Sequence, residues 1–268
     1  MRVSEINHCG KSPEKSKHKV FTAYPPVNQL LGCLLKKVTD ILSDEFVGMY
    51  IQGSLALEDF VPDRSDIDLV VVTQFPIRDD LLKKLESMHK KITDGKMRYA
   101  KRFECIYIPI DALRHHSQRK AYFPCLHVGG EFYTDGFGII EKHILREKGM
   151  ALKGPNPKSF VRSVSLDELK KAALNSLQNW WLPQLKGNSR LKKDDYQVYA
   201  ILTMCRAIYT IDKGDVVSKS RAASYAQGVL DKRWAPLIDK ALSWKIGNKF
   251  NHLEETLNFI RYALLWTK

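Results

Sequence analysis

The sequence predicts an α+β fold: a small mixed β-sheet flanked by helices, then an all-α helical bundle. Two observations predict it. β-Branched apolar runs at 47–52, 67–72 and 101–109 alternate with stretches of helical periodicity. Beyond Gly154-Pro155-Asn156-Pro157, apolar residues recur at helical spacing through to the end of the chain.

Residues 1–20 are polar and basic and contain no apolar stretch of signal-peptide type, so they read as a basic flexible tail. Residues 26–46 carry Leu31, Leu34, Leu35, Val38 and Leu42 on one helical face, with Pro26 near the start; this helix is expected to back the sheet. A second amphipathic, lysine-rich helix is expected over 79–93. Residues 121–133 read as a loop, 135–148 as a connecting helix and 154–157 as a linker. Helices follow near 166–183, 194–212, 219–230, 234–245 and 250–266, the last with Leu253, Leu257, Ile260 and Leu264 on one stripe. The division predicted is thus a tail (1–20), a first domain (21–154) and a helical domain (155–268), without internal repeats.

The 268 residues suffice for two modest cores, and a chain 44% hydrophobic and 27% charged is an ordinary globular one. No run approaches membrane-spanning length, so a cytoplasmic protein without membrane contact is expected. Cys9, Cys33, Cys105, Cys125 and Cys205 show no C-x-x-C spacing, which predicts reduced thiols. Adjacent His115 and His116 diverge on a helix and His127 stands alone, so no histidine metal site is expected. A monomer or weak dimer is expected.

The chemistry concentrates in Tyr50-Ile-Gln-Gly53-Ser54 and, after eleven intervening residues, Asp66-Ile-Asp68-Leu-Val-Val-Val. Gly53 closes a strand and lets the backbone approach a ligand. Ser54 opens a short helix whose free N–H groups suit a phosphate. Asp66 and Asp68 lie two apart on a strand and project from one face, as two oxygen donors to a hard cation must. Mg2+ fits, because it takes one or two carboxylates and completes its shell with water and substrate phosphates. Glu104 is an acid within an apolar strand. If that strand neighbours the one carrying the aspartates, Glu104 faces the same cleft as a third metal ligand or, the reading preferred, as general base for an acceptor hydroxyl. An edge-strand pairing with Lys101 or Arg102 is the alternative. These residues read as the core of a nucleotidyltransferase.

Gly53-Ser54, Ser65-Asp66-Ile67-Asp68 and Glu104 resemble the polymerase-β-type nucleotidyltransferase superfamily, specifically the aminoglycoside adenylyltransferases that modify streptomycin and spectinomycin. The stretch from Arg146 to Pro155 looks like that family's domain junction, and Leu202-Thr-Met-Cys-Arg206 with Gly214-Asp-Val-Val-Ser-Lys219 looks like its C-terminal signature. The likeness covers most of the chain after the first twenty residues. It implies transfer of AMP from ATP to a small-molecule hydroxyl, with Arg206 and Lys219 on the triphosphate and Ser65 touching phosphate. From local chemistry, Ser65 reads equally as a turn or cap residue.

Independently of the family, Val198, Ile201, Leu202, Cys205, Ile208 and Tyr209 recur at helical spacing and leave Tyr199, Thr203, Arg206 and Thr210 on another face. Lys219 follows Ser218, a good N-cap, so a helix start is expected to offer an ammonium and backbone donors together. A cation there opposes the helix dipole and is better explained by an anionic ligand. A solvated lysine, and for Arg206 a structural salt bridge, are the alternatives.

A cationic acceptor meets a chain of formal net charge +13, so local acids must overcome long-range repulsion; Glu58, Asp59, Asp63, Asp194 and Asp195 are candidates. Where streptomycin-modifying members carry an aspartate and a histidine towards the drug, this chain has Tyr196 and Tyr199, so spectinomycin or a metabolite with a similar hydroxyl fits better. Trp180-Trp181 could wall a sugar ring or pack in the core. Two rival classes stand beside this one: action on RNA ends, suggested by Lys83, Lys84, Lys90, Lys91, Lys96, Arg98, Lys101 and Arg102, and a non-catalytic nucleotide-binding regulator.

Overall fold

The computed structural model describes residues 20–115, 121–187 and 189–266. The expected tail therefore lies, apart from Val20, outside the described residues, as do Cys9 and His116. Six strands form one sheet in the order β5-β4-β3-β2-β1-β6. They are β1 (Phe46–Gln52), β2 (Ile67–Thr73), β3 (Phe103–Pro109), β4 (Ala121–Leu126), β5 (Phe132–Phe137) and β6 (Met150–Lys153). β2 and β3 run parallel and every other neighbouring pair is antiparallel, so the sheet is mixed as expected.

Strand alternation gives the sheet two apolar faces. Met49, Ile51, Leu69, Val71, Cys105 and Tyr107 pack beneath α1 (Pro25–Leu42) and α3 (Asp79–Thr93). On the opposite face Tyr50, Val70, Val72, Ile106 and Ile108 pack against Leu113 of α4 (Ile110–Arg114) and Leu145 of α5 (Ile139–Lys148). A four-residue turn, α2 (Gly53–Ala56), follows β1. At the start of β2 and β3 this second face changes from apolar residues to Asp68 and Glu104, and that change places the site.

The region 121–137 departs from the loop expected there: β4 and β5 form a hairpin paired from Ala121–Phe137 to Leu126–Phe132. Pro124 masked the strand, because proline cannot donate to a ladder. Its position explains the tolerance, since β4 pairs with β3 only at Leu126 and Cys125. Gly129 and Gly130, both at positive φ, make the turn. The connecting helix consequently starts at Ile139 rather than 135. β6, at the edge beside β1, is a further strand that the sequence reading left unassigned.

The remaining elements are helical: α6 (Leu166–Ser176), a π-helical stretch (Leu177–Trp181), α7 (Leu182–Gln184), α8 (Asp194–Lys213), α9 (Lys219–Val229), α10 (Ala235–Ser243) and α11 (Leu253–Trp266). A Ser165/Glu168 capping box starts α6, Ser218 caps α9, and Gly214 in the left-handed region ends α8. Their core gathers Ile201, Cys205, Ile208, Ala222, Ile238 and Phe259. The stripe of α11 is rotated from its expected position: Thr256, Phe259, Ile260 and Ala263 are buried, while Leu253, Leu257 and Leu264 pack at its margin. Ile144 of α5, Leu169 of α6 and Val216 join the two lobes. Cys105, Cys125 and Cys205 are buried thiols outside any disulfide, and among the described residues no helix is long and apolar enough to cross a membrane.

Candidate active site

Gly53 stands at φ 61°, and a Cβ added to it would fall on the Asp68 carboxylate. Only glycine meets both conditions. The chain then turns into α2, and the Ser54 backbone N–H donates to Asp68. The turn expected to receive phosphate is therefore locked against an acid on the adjacent strand, since Gln52 and Asp68 are paired across β1 and β2.

Asp66 immediately precedes β2 and Asp68 is its second residue. Burial pushes the Asp68 carboxyl up to about 6, with the Asp66 charge adding to the shift and Lys219 and Arg206 opposing it. Asp66 is also raised by burial, against the Arg102 guanidinium 3.7 Å away and Lys219. Glu104 lies directly opposite Asp68 in the parallel β2–β3 register. Burial, then Asp68, Asp66 and Asp135, push Glu104 up to about 7. Arg102, the pairing partner considered for Glu104, instead donates to the carbonyls of Pro62 and Ser65, so Glu104 stays directed at the cleft.

The helical lobe supplies the opposite charge. Arg206 of α8 and Lys219 at the start of α9 both act on Asp68, and neither forms an ion pair within the described residues. Lys219 is an exposed residue, its ammonium 5.7 Å from the Tyr199 ring centre. Burial and Arg206 lower its pKa, while Asp68 and Asp66 raise it. Two cations thus face a carboxylate pair, an arrangement with a ready place for a polyphosphate and a divalent ion.

Gly53, Ser54, Asp66, Asp68, Glu104, Arg206 and Lys219 come together. Ser65 adjoins Asp66 on the loop into β2: its hydroxyl accepts from the Val61 N–H at 2.9 Å, which leaves its O–H to donate, and its own N–H donates to Val61 O. The α9 backbone donors expected to serve a ligand are partly used as well, because Arg221 N–H donates to Ser218 Oγ and Ser220 N–H to Asp59. Trp181 is buried in the core with Tyr196 and Tyr199 around it, and Trp180 is exposed.

Sequence reasoning missed the acids of the unrecognised hairpin, one of which, Asp135, acts on Glu104. Asp135 acts on Glu104, and both Asp135 and Glu131 act on His127. His127 Nδ1 lies 3.8 Å from Glu104, and its ring stacks on Tyr133 with centres 3.6 Å apart. Gly129-Gly130 between two aromatic pairs was the available signal. Three of the five acids named from sequence are engaged elsewhere: Asp59 with Ser220, Asp63 with Arg98, and Asp194 with the backbone of Phe250 and Asn251.

The residues suit Mg2+. No group of three or more His, Cys, Asp or Glu is placed to hold a metal among the described residues. The pair Asp66/Asp68, both raised in pKa by burial and Asp68 also by the Asp66 charge, matches an ion that takes one or two carboxylates and substrate phosphates.

Comparison with known proteins matches both halves of the chain. The model of the nucleotidyltransferase domain matches residues 35–121, and that of the aminoglycoside adenylyltransferase C-terminal domain matches residues 160–264. The chain is 27% identical over 220 residues to the spectinomycin 9-adenylyltransferase of Staphylococcus aureus, covering 77% of this chain and 80% of that one. With the Campylobacter jejuni spectinomycin 9-adenylyltransferase it shares 24% over 237 residues, 83% of this chain and 85% of the other. The crystal structure of spectinomycin adenyltransferase AAD(9) from Enterococcus faecialis with ATP and spectinomycin has the same fold. Its TM-score is 0.68 at 17% identity, over 88% of this chain and 98% of that one. With both halves of the molecule matched in order, a nucleotidyltransferase domain followed by an aminoglycoside adenylyltransferase C-terminal domain, the chain is an adenylyltransferase built on a nucleotidyltransferase domain.

Proposed function

We propose that the protein transfers AMP from ATP to a hydroxyl of spectinomycin or a closely similar aminocyclitol, releasing pyrophosphate. The observation that carries this reading is Glu104 opposite Asp68 in the β2–β3 register, with Arg206 and Lys219 across the cleft. Residues 21–154 and 155–268 act as the two lobes that bring these groups together.

The Gly53-Ser54 turn, Arg206 and Lys219 hold the triphosphate and draw charge towards the leaving pyrophosphate. Asp66 and Asp68 hold Mg2+, which supplies charge neutralisation at the phosphates when bound. Glu104 accepts the proton of the acceptor hydroxyl as its oxygen bonds to the α-phosphorus and the bond to the β-phosphate oxygen breaks. A pKa near 7 suits that work, because half the population is unprotonated at neutral pH while the group remains basic. Most of the rate gain comes from alignment of the two substrates and electrostatic clamping.

The acceptor reading rests on charge and on the relatives. Asp135 beside Glu104, with Glu131 near His127, gives this end of the sheet a local negative field within a chain of net charge +13, which suits a small cation. Tyr196 and Tyr199, packed around Trp181, present aromatic rings where a strongly basic guanidino substrate would be met by a carboxylate. Pyrophosphate release from Mg-ATP, measured across spectinomycin, streptomycin and short RNAs, tests the proposal. Release with spectinomycin, accompanied by a product heavier by one AMP group, is expected. Turnover with RNA alone, or with none of these, rejects it.

A further inference from the structure

We propose that Asp59 is a positioning residue: carried on a loop clamped to the sheet lobe, it holds the first turn of α9 so that Lys219 stays opposite Asp66 and Asp68. The inference rests on the reading of Lys219 as a triphosphate ligand and adds to it the part that aims the ammonium.

The contact joins residues 161 apart in sequence. Ser220 Oγ donates to Asp59 Oδ1 at 2.6 Å and Ser220 N–H donates to Asp59 Oδ2 at 3.2 Å. Both carboxylate oxygens therefore bind the residue that follows Lys219. Ser218 already caps Arg221 N–H, so Asp59 completes the end of the helix from the other lobe. An anion at a helix N-terminus is favourable, and this one offsets the cation that Lys219 places there.

The loop bearing Asp59 is fixed from behind. Asp59 N–H donates to Ser54 O at 2.9 Å, which ties it to the phosphate turn. Tyr24 hydroxyl donates to Phe60 O, Tyr99 hydroxyl to Pro62 O, and Arg102 to both Pro62 O and Ser65 O. Glu58, immediately before Asp59, adopts φ 57°, uncommon outside glycine, and marks a tightly defined turn. Further along, Arg64 Nη1 donates to Leu242 O at 2.5 Å, a second crossing to the helical lobe. The same loop thus begins at Gly53-Ser54, ends at Asp66 and Asp68, and touches α9 and α10 between them. Each lobe has its own core, so this link bears on how the lobes align rather than on whether either one folds.

The test compares Asp59→Asn, Ser220→Ala, the double variant, Ser220→Thr and Lys219→Ala by Mg-ATP titration calorimetry, steady-state kinetics with spectinomycin and thermal melting. Asp59→Asn and Ser220→Ala should each weaken Mg-ATP binding about tenfold, the scale of one charge-assisted hydrogen bond. Their double should bind no worse than the weaker single, because both remove one link. The kinetic loss should fall on KM for ATP more than on kcat, Ser220→Thr should restore affinity, and Tm should hold within about 2 °C. Unchanged affinity in the singles, additive losses in the double, or a large drop in Tm would overturn the positioning role. If Lys219→Ala weakens Mg-ATP binding and Asp59→Asn does not, the inference fails alone. If Lys219→Ala leaves binding intact, the triphosphate reading fails and takes the inference with it.

Discussion

Asp68 and Glu104 occupy directly opposed positions on the parallel strands β2 and β3, so two acids separated by 35 intervening residues share one edge of the same sheet face. Parallel pairing repeats the side-chain orientation of one strand on the next. The two carboxylates therefore divide the chemistry by position. Asp68 borders the Gly53-Ser54 turn, while Glu104 borders the β4–β5 hairpin.

Replacing Glu104 by Gln keeps the shape and removes the base. In the Glu104→Gln variant kcat should fall roughly 10²- to 10⁴-fold, the usual weight of general base catalysis, with Mg-ATP affinity unchanged. The wild-type rate should also lose activity as pH falls through about 7, because the raised pKa leaves Glu104 protonated below that point. Burial is the largest cause of the shift, and a cation at the aspartates leaves burial in place. Steady-state profiles from pH 5.5 to 9 check both, and a variant retaining the acidic limb removes Glu104 from the base role.

Asp68→Asn should abolish turnover and yet stabilise the metal-free protein. A carboxyl whose pKa rises from 3.8 to about 6 on folding contributes most stability below its unfolded value, and that contribution is lost as pH rises through 6. At pH 7 the buried charge costs up to roughly 3 kcal/mol, which asparagine avoids. A Tm increase of about 5 °C at pH 7, shrinking towards pH 4, is the expected melting result. Equal Tm at both pH values would refute the cost assigned to Asp68.

What the sequence disclosed follows from what is local in the chemistry. Gly53-Ser54 with Asp66 and Asp68 lie within sixteen consecutive residues, and alternation on β2 alone puts the two acids on one face. Glu104 was recognisable as a charge in an apolar strand, although its direction needed the β2–β3 register. The hairpin was hidden because Pro124 weakens the strand signal, and Asp135 was hidden with it, inside a segment that resembled a helix. Ser65 read locally as a turn or cap residue, and its acceptance of the Val61 N–H is a contact set by loop closure. The tie between Asp59 and Ser220 spans 161 residues and leaves no periodic trace at either end. Pairings set by how the two lobes meet are the ones a linear reading misses.

Gly53→Ala tests the turn. The added methyl meets the Asp68 carboxylate, and φ 61° is strained for alanine. Relief of either conflict moves Asp68 or the Ser54 N–H away from its partner. The variant should lose at least about 100-fold in kcat/KM, or roughly 3 kcal/mol of transition-state stabilisation. It should keep its helical circular-dichroism signal, because the bundle core lies elsewhere. Wild-type kinetics in Gly53→Ala would show that the turn is not part of the site.

Asp135 should select the acceptor and leave the nucleotide alone. It lies on β5, two strands from Glu104 and three from Asp68 across the sheet, and it acts on Glu104, His127 and Tyr133. Its neutralisation removes one negative charge beside the expected acceptor place while leaving the Arg206 and Lys219 side untouched. Asp135→Asn should raise KM for spectinomycin several-fold, about 1 kcal/mol for a partly solvated charge pair, and leave KM for ATP within a factor of two. The difference between variant and wild type should shrink between 50 and 500 mM salt, since screening weakens the attraction that the variant lacks. The same substitution also removes one of the charges that raise Glu104, so the acidic limb of the pH profile should move to lower pH. A KM increase for ATP instead, or a pH limb that does not move, would separate Asp135 from both the acceptor and the base.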